Sequence, residues 1–417
     1  MFIIKCGSTS DTARFLNEGI DHNRPLPVKS VKQNCTPNSE ILSMMETFCQ
    51  MVNHSIRIGL ENNCSTLKRL SVLTYHELES YHIVSYYKLT AISQAAGRLA
   101  QMKKDIKKGR KPKSPFVQKP YLVSCYGFKI NGMLLSFPVR NRETANILLN
   151  DHTTNILSDK TLVSKSFTIT PNSLSISIFK DATPIIPEKT IGIDRNLRNI
   201  TFGNDEKIIQ VNTAEMLKIK ENYNYVKSTF KRNDHRIRKK IASKLGKRQT
   251  NRIKQRLNII SKSLVNYAKN QKAAIIFEDL KGIRKLYKKG NGHGNKYRRK
   301  LNSWSFYELE RQVEYKAAWA GIQFYKIDPR RTNIDCPRCG GRLQEDRQKR
   351  RDLWCGNCKR WQNRDVVAAM NIAYKGLARL TNPQGDTCEA MRGNPCFDSY
   401  QDPVILRVDV SKLSEVC

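Results

Sequence analysis

Four cysteines and three acids are the residues whose types and spacing could do chemistry. Cys336-Pro-Arg-Cys339 and Cys355-Gly-Asn-Cys358 are two CxxC knuckles with fifteen residues between them. At that separation four thiolates can close a tetrahedral site around one structural Zn2+ ion. All four positions would be protein thiolates, so the site keeps no open position for catalysis and its role is to fix a small β-ribbon. Gly340, Gly341 and Gly356 fall where knuckle turns call for positive φ. Four unrelated buried thiols are the alternative, and the paired spacing speaks against it.

The acids are dispersed. Asp194 ends the apolar run Thr190-Ile-Gly-Ile-Asp, and Glu278 ends a second, Ala273-Ala-Ile-Ile-Phe-Glu. Asp365 follows Asn363-Arg364 where a helical pattern begins, with Val366, Ala369, Ile372 and Leu377 on its apolar side. Each acid thus sits at the edge of a buried element, in a chain with 74 Lys and Arg against 37 Asp and Glu. Converging, they would form an oxygen-ligand site for hard divalent cations. Two such ions about 3.5–4 Å apart activate water and stabilise the leaving oxygen in phosphodiester cleavage. Taken singly, each has another explanation: Asp194 could cap a turn, Glu278 could pair with a lysine, and Asp365 could be a helix N-terminal acid.

The elements that must position these residues can be read along the 417 residues. Apolar positions from Ser39 to Leu60 recur at three- and four-residue steps, and a second helical stretch covers 67–105. Between Tyr121 and Ile186, short β-branched and aromatic runs separated by Gly, Asn and Pro read as an antiparallel β unit. Its Tyr121, Tyr126, Phe128 and Phe137 are either bases' stacking partners or core. Residues 190–211 read as a strand hairpin. Residues 231–272 hold fifteen Lys and Arg and a single acid, Asp234, yet keep apolar residues at helical spacing. They form one long basic amphipathic helix, or two broken near Gly246. Residues 281–300 add nine basic residues and no acid. A formal net charge of +37 calls for a polyanionic partner, and nucleic acid leads because each neutralised phosphate releases counterions. No run approaches the roughly 18 apolar residues of a membrane span, so neither membrane insertion nor secretion is expected. Eight further cysteines are scattered singly, which does not suggest a disulfide framework.

From about Ile191 to Lys375 the chain resembles the transposon-encoded TnpB (OrfB) RNA-guided nucleases, relatives of compact type V CRISPR effectors and of the Fanzor proteins. The resemblance rests on five ordered blocks: Gly192-Ile-Asp-Arg-Asn-Leu-Arg198, Ile276-Phe-Glu-Asp-Leu280, Trp304 through Tyr315-Lys-Ala317 and Gly321, Thr332 with the CxxC pairs, and Asn363-Arg-Asp-Val-Val-Ala-Ala-Met-Asn-Ile372. It implies an α/β multidomain protein: a RuvC-like (RNase H-like) nuclease with a nested zinc ribbon, plus an N-terminal β-barrel wedge domain with an inserted helical recognition lobe. It makes Asp194, Glu278 and Asp365 the catalytic triad and the Mg2+ ligands, two ions being expected. Cys336, Cys339, Cys355 and Cys358 become the Zn2+ ligands. The implied activity is cleavage of target DNA beside a short adjacent motif. The implied partners are a guide RNA derived from the protein's own element and target double-stranded DNA, with no membrane. Localisation would be cytoplasmic or nucleoid in a prokaryote and nuclear in a eukaryote.

The expected domains are an N-terminal extension and wedge start over 1–38, a helical lobe over 39–114 and the β-barrel wedge over 115–187. The nuclease follows over 188–335, the ribbon over 336–361, the rest of the nuclease over 362–380 and a poorly ordered tail over 381–417. Val367 stands where the family often has Asn, and Asn333 where Ser is usual; the first bears on metal or substrate geometry. Two rivals remain: a nuclease-inactive RNA-guided repressor, disfavoured by the intact acids, and an RNase H-like transposase, disfavoured by the nested ribbon.

Overall fold

A computed structural model describes residues 27–140, 142–230, 234–287, 292, 294–346, 348, 351–381 and 402–417. The chain is an α/β multidomain protein of two compact units, Met1–Asp181 and Ala182–Cys417. Among the described residues no helix is long and apolar enough to cross a membrane.

The first unit opens with β1 (Val28–Asn34), then three helices, α1 (Ser39–Glu61), α2 (Leu67–Thr74) and α3 (Ser85–Lys107). The Asn38 side chain caps α1 by accepting from the Ile41 N–H at 2.9 Å. That helix buries Ile41, Met45, Phe48, Val52 and Ile56 along one stripe. The single helical stretch expected over 67–105 is broken after α2, where His82 adopts a left-handed φ of 47°. Then follow β2 (Leu122–Ser124), β3 (Lys129–Asn131), β4 (Leu134–Arg140), β5 (Glu143–Leu148), the short α4 (Asp151–Leu157), β6 (Leu162–Thr170) and β7 (Ser173–Lys180). They make two antiparallel sheets, ordered β1-β7-β6-β2 and β3-β4-β5. Because β1 pairs with β7 along its whole length, from Val28↔Phe179 to Asn34↔Ser173, the helices are an insertion into a β unit. Phe128 and Phe137 pack against Phe167 and Tyr121 lies edge-on to Phe48, so these aromatics serve the core. Tyr126 is the exposed one.

The second unit contains β8 (Lys189–Arg195), β9 (Asn199–Gly203), β10 (Lys207–Asn212), α5 (Ala214–Thr229), α6 (Ser243–Asn270), β11 (Ala273–Glu278), α7 (Asn295–Ser303), α8 (Phe306–Trp319) and β12 (Phe324–Ile327). The small strands β13 (Leu343–Glu345), β14 (Asp352–Cys355) and β15 (Arg360–Asn363) follow, then α9 (Arg364–Thr381) and β16 (Val404–Asp409). Six strands form one mixed sheet, β12-β11-β8-β9-β10-β16, in which β12, β11 and β8 run parallel. The basic segment is a single helix α6 preceded by a π-helical turn, Ile237–Ala242, and Gly246 lies inside it. Ile253, Leu257, Ile260, Leu264 and Ala268 join the sheet's core, while Lys244, Lys247, Arg248, Arg252, Lys254 and Lys262 face out.

The end of the chain corrects the sequence reading. Residues 402–417, assigned to a poorly ordered tail, supply the sixth strand: β16 pairs in parallel with β10 from Lys207↔Val404 to Asn212↔Asp409. The turn after it, Val410–Glu415, buries Val410 and Leu413 in the same core. The strand's partner lies 197 residues upstream, a separation that no local pattern reveals. Residues 382–401 of the expected tail, and 1–26 of the expected extension, lie outside the described residues.

Helix α9 crosses β8 at backbone distance. Thr190 Oγ1 donates to the Ala373 carbonyl at 2.7 Å, and a Cβ built on Gly192 would stand 2.0 Å from the Ala369 carbonyl oxygen and 2.5 Å from Ala373 N. On the other side of the contact, a Cβ on Gly376 would meet Ile276 Cγ1 at 2.3 Å. Both glycines are therefore required by close approach, not by backbone conformation. Gly192→Ala is expected to force α9 off β8 and lower stability by about 2–3 kcal/mol; chemical denaturation of the variant checks this.

Candidate functional site

Parallel pairing decides where two of the acids emerge. Ile193 of β8 lies opposite Phe277 of β11, so Asp194 and Glu278, the next residues, stand side by side at one end of the β8–β11 pairing. Asp365 is the second residue of α9. Its backbone N–H and that of Val366 donate to Asn363 Oδ1 at 3.1 and 3.3 Å, the N-cap arrangement. The close α9–β8 crossing delivers that helix start to the same end. Asn196 Nδ2 spans the two aspartates, donating to Asp194 Oδ2 at 2.5 Å and to Asp365 Oδ1 at 3.0 Å. Asn199 Nδ2 donates to Asp365 Oδ2 at 2.7 Å, and Arg351 pairs with the same oxygen at 2.5 Å. Glu278 accepts from Thr332 Oγ1 at 2.7 Å.

Behind the acids, Arg195 is buried. It donates to Glu310 at 2.8 Å, to the Phe306 carbonyl at 3.1 Å and to the Glu278 carbonyl at 2.7 Å, and its guanidinium lies over the Phe277 ring. This fork ties the end of β8 to the end of β11 and to α8. Burial, then repulsion from Glu278 and Asp365, pushes the Asp194 carboxyl up to about 8. Burial also raises Glu278, against the Thr332 hydrogen bond and the Arg195 charge. Asn199 Oδ1 is a buried acceptor without a partner among the described residues. Three carboxylates gathered at one end of the sheet, with a spare amide oxygen beside them, are an all-oxygen donor set suited to a hard divalent cation. Their oxygens are more widely spaced than the sulfurs of the cysteine cluster. That cluster is, among the described residues, the one group of three or more His, Cys, Asp or Glu whose ligand atoms all lie within 4.8 Å of one another.

In the cluster, Cys336 Sγ and Cys358 Sγ stand 3.9 Å apart, and Cys339 Sγ and Cys355 Sγ 3.4 Å. A tetrahedron with 2.3 Å metal–sulfur bonds has edges of about 3.8 Å, whereas a disulfide needs about 2.05 Å. Gln362 Nε2 donates to Cys336 Sγ at 3.1 Å. The knuckle turns meet expectation at Gly340 and differ from it at the other two glycines. The residue after each second cysteine is left-handed, Gly340 with φ 65° and Lys359 with φ 50°, while Gly341 and Gly356 are not. Gly341 is small for another reason: a Cβ there would meet Asn357 Nδ2 at 2.7 Å, where the knuckles touch. Val367 packs with Cys336, Leu343, Leu353 and Cys355. It faces the cysteine core, so its replacement of the more usual Asn acts on packing there. Asn371 on the same helix binds the Thr332 and Asp335 carbonyls, both at 2.8 Å.

The structure thus gathers the predicted acids and the predicted cysteines, and adds Asn196, Asn199, Thr332, Arg351 and Arg195. Asn196 and Asn199 were signalled by two amides within five residues of Asp194. Arg351 carried no distinguishing mark among the arginines around it.

The model of the Cas12f1-like TNB domain matches residues 306–372. TnpB-like protein MJ0751 of Methanocaldococcus jannaschii is 32% identical over 220 residues, covering 50% of this chain and 76% of that protein. The chain belongs to the TnpB-like family. The TnpB-like chain is also 33% identical over 106 residues to the CRISPR-associated endodeoxyribonuclease Cas12f1 of Sulfoacidibacillus thermotolerans, covering 25% of this chain and 23% of that one. Its fold is shared with the protein in a cryo-EM structure of a Cas12f1–sgRNA–target DNA complex, with a TM-score of 0.54 at 13% identity over 80% of this chain and 82% of that one.

Two measurements test the site of this TnpB-like protein. At pH 8 the metal-free protein carries an acid whose unfolded form ionises near 3.8 and whose folded form ionises near 8, so its contribution to stability falls as pH rises between those values. Asp194→Asn is therefore expected to raise the melting temperature of the chelator-treated protein at pH 8 more than at pH 5. Equal shifts at both would count against the raised proton affinity of Asp194. Cys355→Ser removes one of the four thiolates and is expected to lower bound metal per chain, read by elemental analysis, and to loosen β13–β15.

Proposed function

We propose that this TnpB-like protein is an RNA-guided, Mg2+-dependent DNA endonuclease that cuts target DNA beside a short adjacent motif by RuvC-type hydrolysis. The observation that carries the reading is the convergence of Asp194, Glu278 and Asp365 at one end of the six-stranded sheet, with Asn196 bridging the aspartates. Names of relatives support it: one similar protein is a CRISPR-associated endodeoxyribonuclease, and one sharing the fold was solved with a guide RNA and target DNA.

In this reading Asp194, Glu278 and Asp365 hold the magnesium, and the metal supplies water activation and charge stabilisation at the leaving oxygen. The rest is positioning by the chain itself. Asn196 and Asn199 orient the aspartates, Thr332 orients Glu278, and Arg195 fixes the end of the strand that carries it. Arg351, half-exposed beside Asp365, balances negative charge when no cation is there and presents a guanidinium to an arriving phosphate. The four cysteines hold zinc, which makes β13–β15 the ribbon nested in a RuvC-like nuclease. The first unit corresponds to the wedge with its inserted recognition lobe. The exposed cations of α6 and the basic residues of 281–287 and 294–300 give the guide RNA and target duplex a phosphate-binding surface, the guide coming from the protein's own element. Base pairing then reads sequence while the protein reads backbone shape.

Sequencing of RNA that co-purifies with the protein, followed by Mg2+ cleavage of matching duplexes flanked by a random motif library, tests this. One abundant RNA whose 3′ segment directs cutting is the expected result. Binding without cutting would favour a repressor, and strand joining a transposase. Asp194→Ala is expected to abolish cutting while RNA and duplex binding persist; loss of binding in parallel would remove Asp194 from the catalytic set.

A further inference from the structure

We propose that the C-terminal segment 402–417 is a working part of the acid site, because Arg407 on β16 sets the position of Asp365 through a relay of hydrogen bonds. Arg407 lies directly opposite Gln210 in the β10–β16 register, and its Nε donates to Gln210 Oε1 at 3.1 Å. Gln210 is buried, and its Nε2 donates to Asn363 Oδ1 at 3.3 Å. The same Asn363 oxygen receives the backbone N–H groups of Asp365 and Val366. The chain of contacts therefore runs from the last strand of the sheet to the first turn of α9.

Its polarity follows from what each group can do. A guanidinium only donates, so Arg407 obliges Gln210 to present its carbonyl oxygen outward. The Gln210 amide nitrogen must then face inward, where Asn363 Oδ1 and, at 3.5 Å, Thr201 Oγ1 are its acceptors. That in turn keeps the Asn363 oxygen, not its NH2, toward the helix start, the orientation an N-cap requires. Without Arg407 no donor on β16 fixes the Gln210 carbonyl, and a flipped Gln210 would set oxygen against oxygen at Asn363. The strand itself is anchored independently, by buried Val410 and Leu413, by Asn212 to Asp409 at 3.0 Å, by Lys207 to the Val416 carbonyl at 3.0 Å, and by the Arg360–Asp402 pair at 2.5 Å. Arg407 is thus a positioning residue, separable from strand docking.

The inference rests on the reading of Asp365 as a metal ligand. Its test uses the full chain with three variants and two readouts: hydrogen exchange of the Asp365 and Val366 amides, and Mn2+ affinity by electron paramagnetic resonance. Arg407→Leu is expected to speed that exchange and to weaken Mn2+ binding about tenfold, the low end for an outer partner of a metal ligand. Arg407→Lys, which keeps a donor, restores part of both. Gln210→Glu keeps a partner for Arg407, so β16 stays docked, but a carboxylate cannot donate to Asn363; it is expected to match Arg407→Leu. Exchange across β11 must stay unchanged, which separates the relay from general loosening. If Gln210→Glu leaves the Asp365 and Val366 amides and the Mn2+ affinity untouched, the relay is overturned. Asp365→Asn distinguishes the two layers: if it spares Mn2+ binding the metal reading fails, and amide exchange alone then judges the relay.

Discussion

The gathering of three acids at one end of the six-stranded sheet, where Asp194 loses solvent and faces Glu278 and Asp365, is the constraint on which the second unit is organised. Two unit charges about 5 Å apart repel by roughly 3 kcal/mol at an effective dielectric of 20, and a single hydrogen bond returns about 1 kcal/mol. The amides of Asn196 and Asn199 and the hydroxyl of Thr332 therefore orient the acids without balancing them. What offsets them in the metal-free protein is the raised proton affinity of Asp194 and the Arg351 guanidinium on Asp365. A bound cation would compete with both. The arrangement stores a demand for positive charge at one place, which is what a metal-dependent nuclease site requires.

Holding such a site together takes rigid supports from several directions. The Gly192 and Gly376 contacts let α9 press on β8 and β11 closely enough for Asp365 to reach Asp194. Arg195 braces the ends of β8 and β11 against α8 from beneath. The cysteine cluster, packed on Val367, steadies α9 from the side of β13–β15, and Asn371 ties that helix to the segment carrying Thr332. Each support meets α9 or a strand end within a few residues of an acid, so a disturbance at any of them is felt at the site.

Much of this was legible in the sequence, for physical reasons. Apolar runs that end in a single acid mark strands buried on both faces, and the CxxC spacing marks a thiolate site. Helical periodicity in α1 and α6 survived even a very basic composition, because burial of one stripe decides the element whatever the other face carries. What escaped had no local signature. The pairing of β16 with β10 depends on a partner 197 residues away. Arg351 and Arg195 look like their neighbours until the fold sends one into solvent beside Asp365 and buries the other behind Glu278. The left-handed residue of the second knuckle is Lys359, where composition pointed to Gly356. Spacing in the chain identifies residues that act as a set, whereas the residues that position them are identified only by contact.

The central claim, that Asp194, Glu278 and Asp365 share a divalent cation, is tested most directly by anomalous diffraction from crystals soaked in Mn2+. The account predicts one or two manganese peaks bounded by these carboxylates, with Arg351 drawn away from Asp365. Manganese bound elsewhere on the protein, with the Arg351–Asp365 pair intact and the three acids empty, would contradict it.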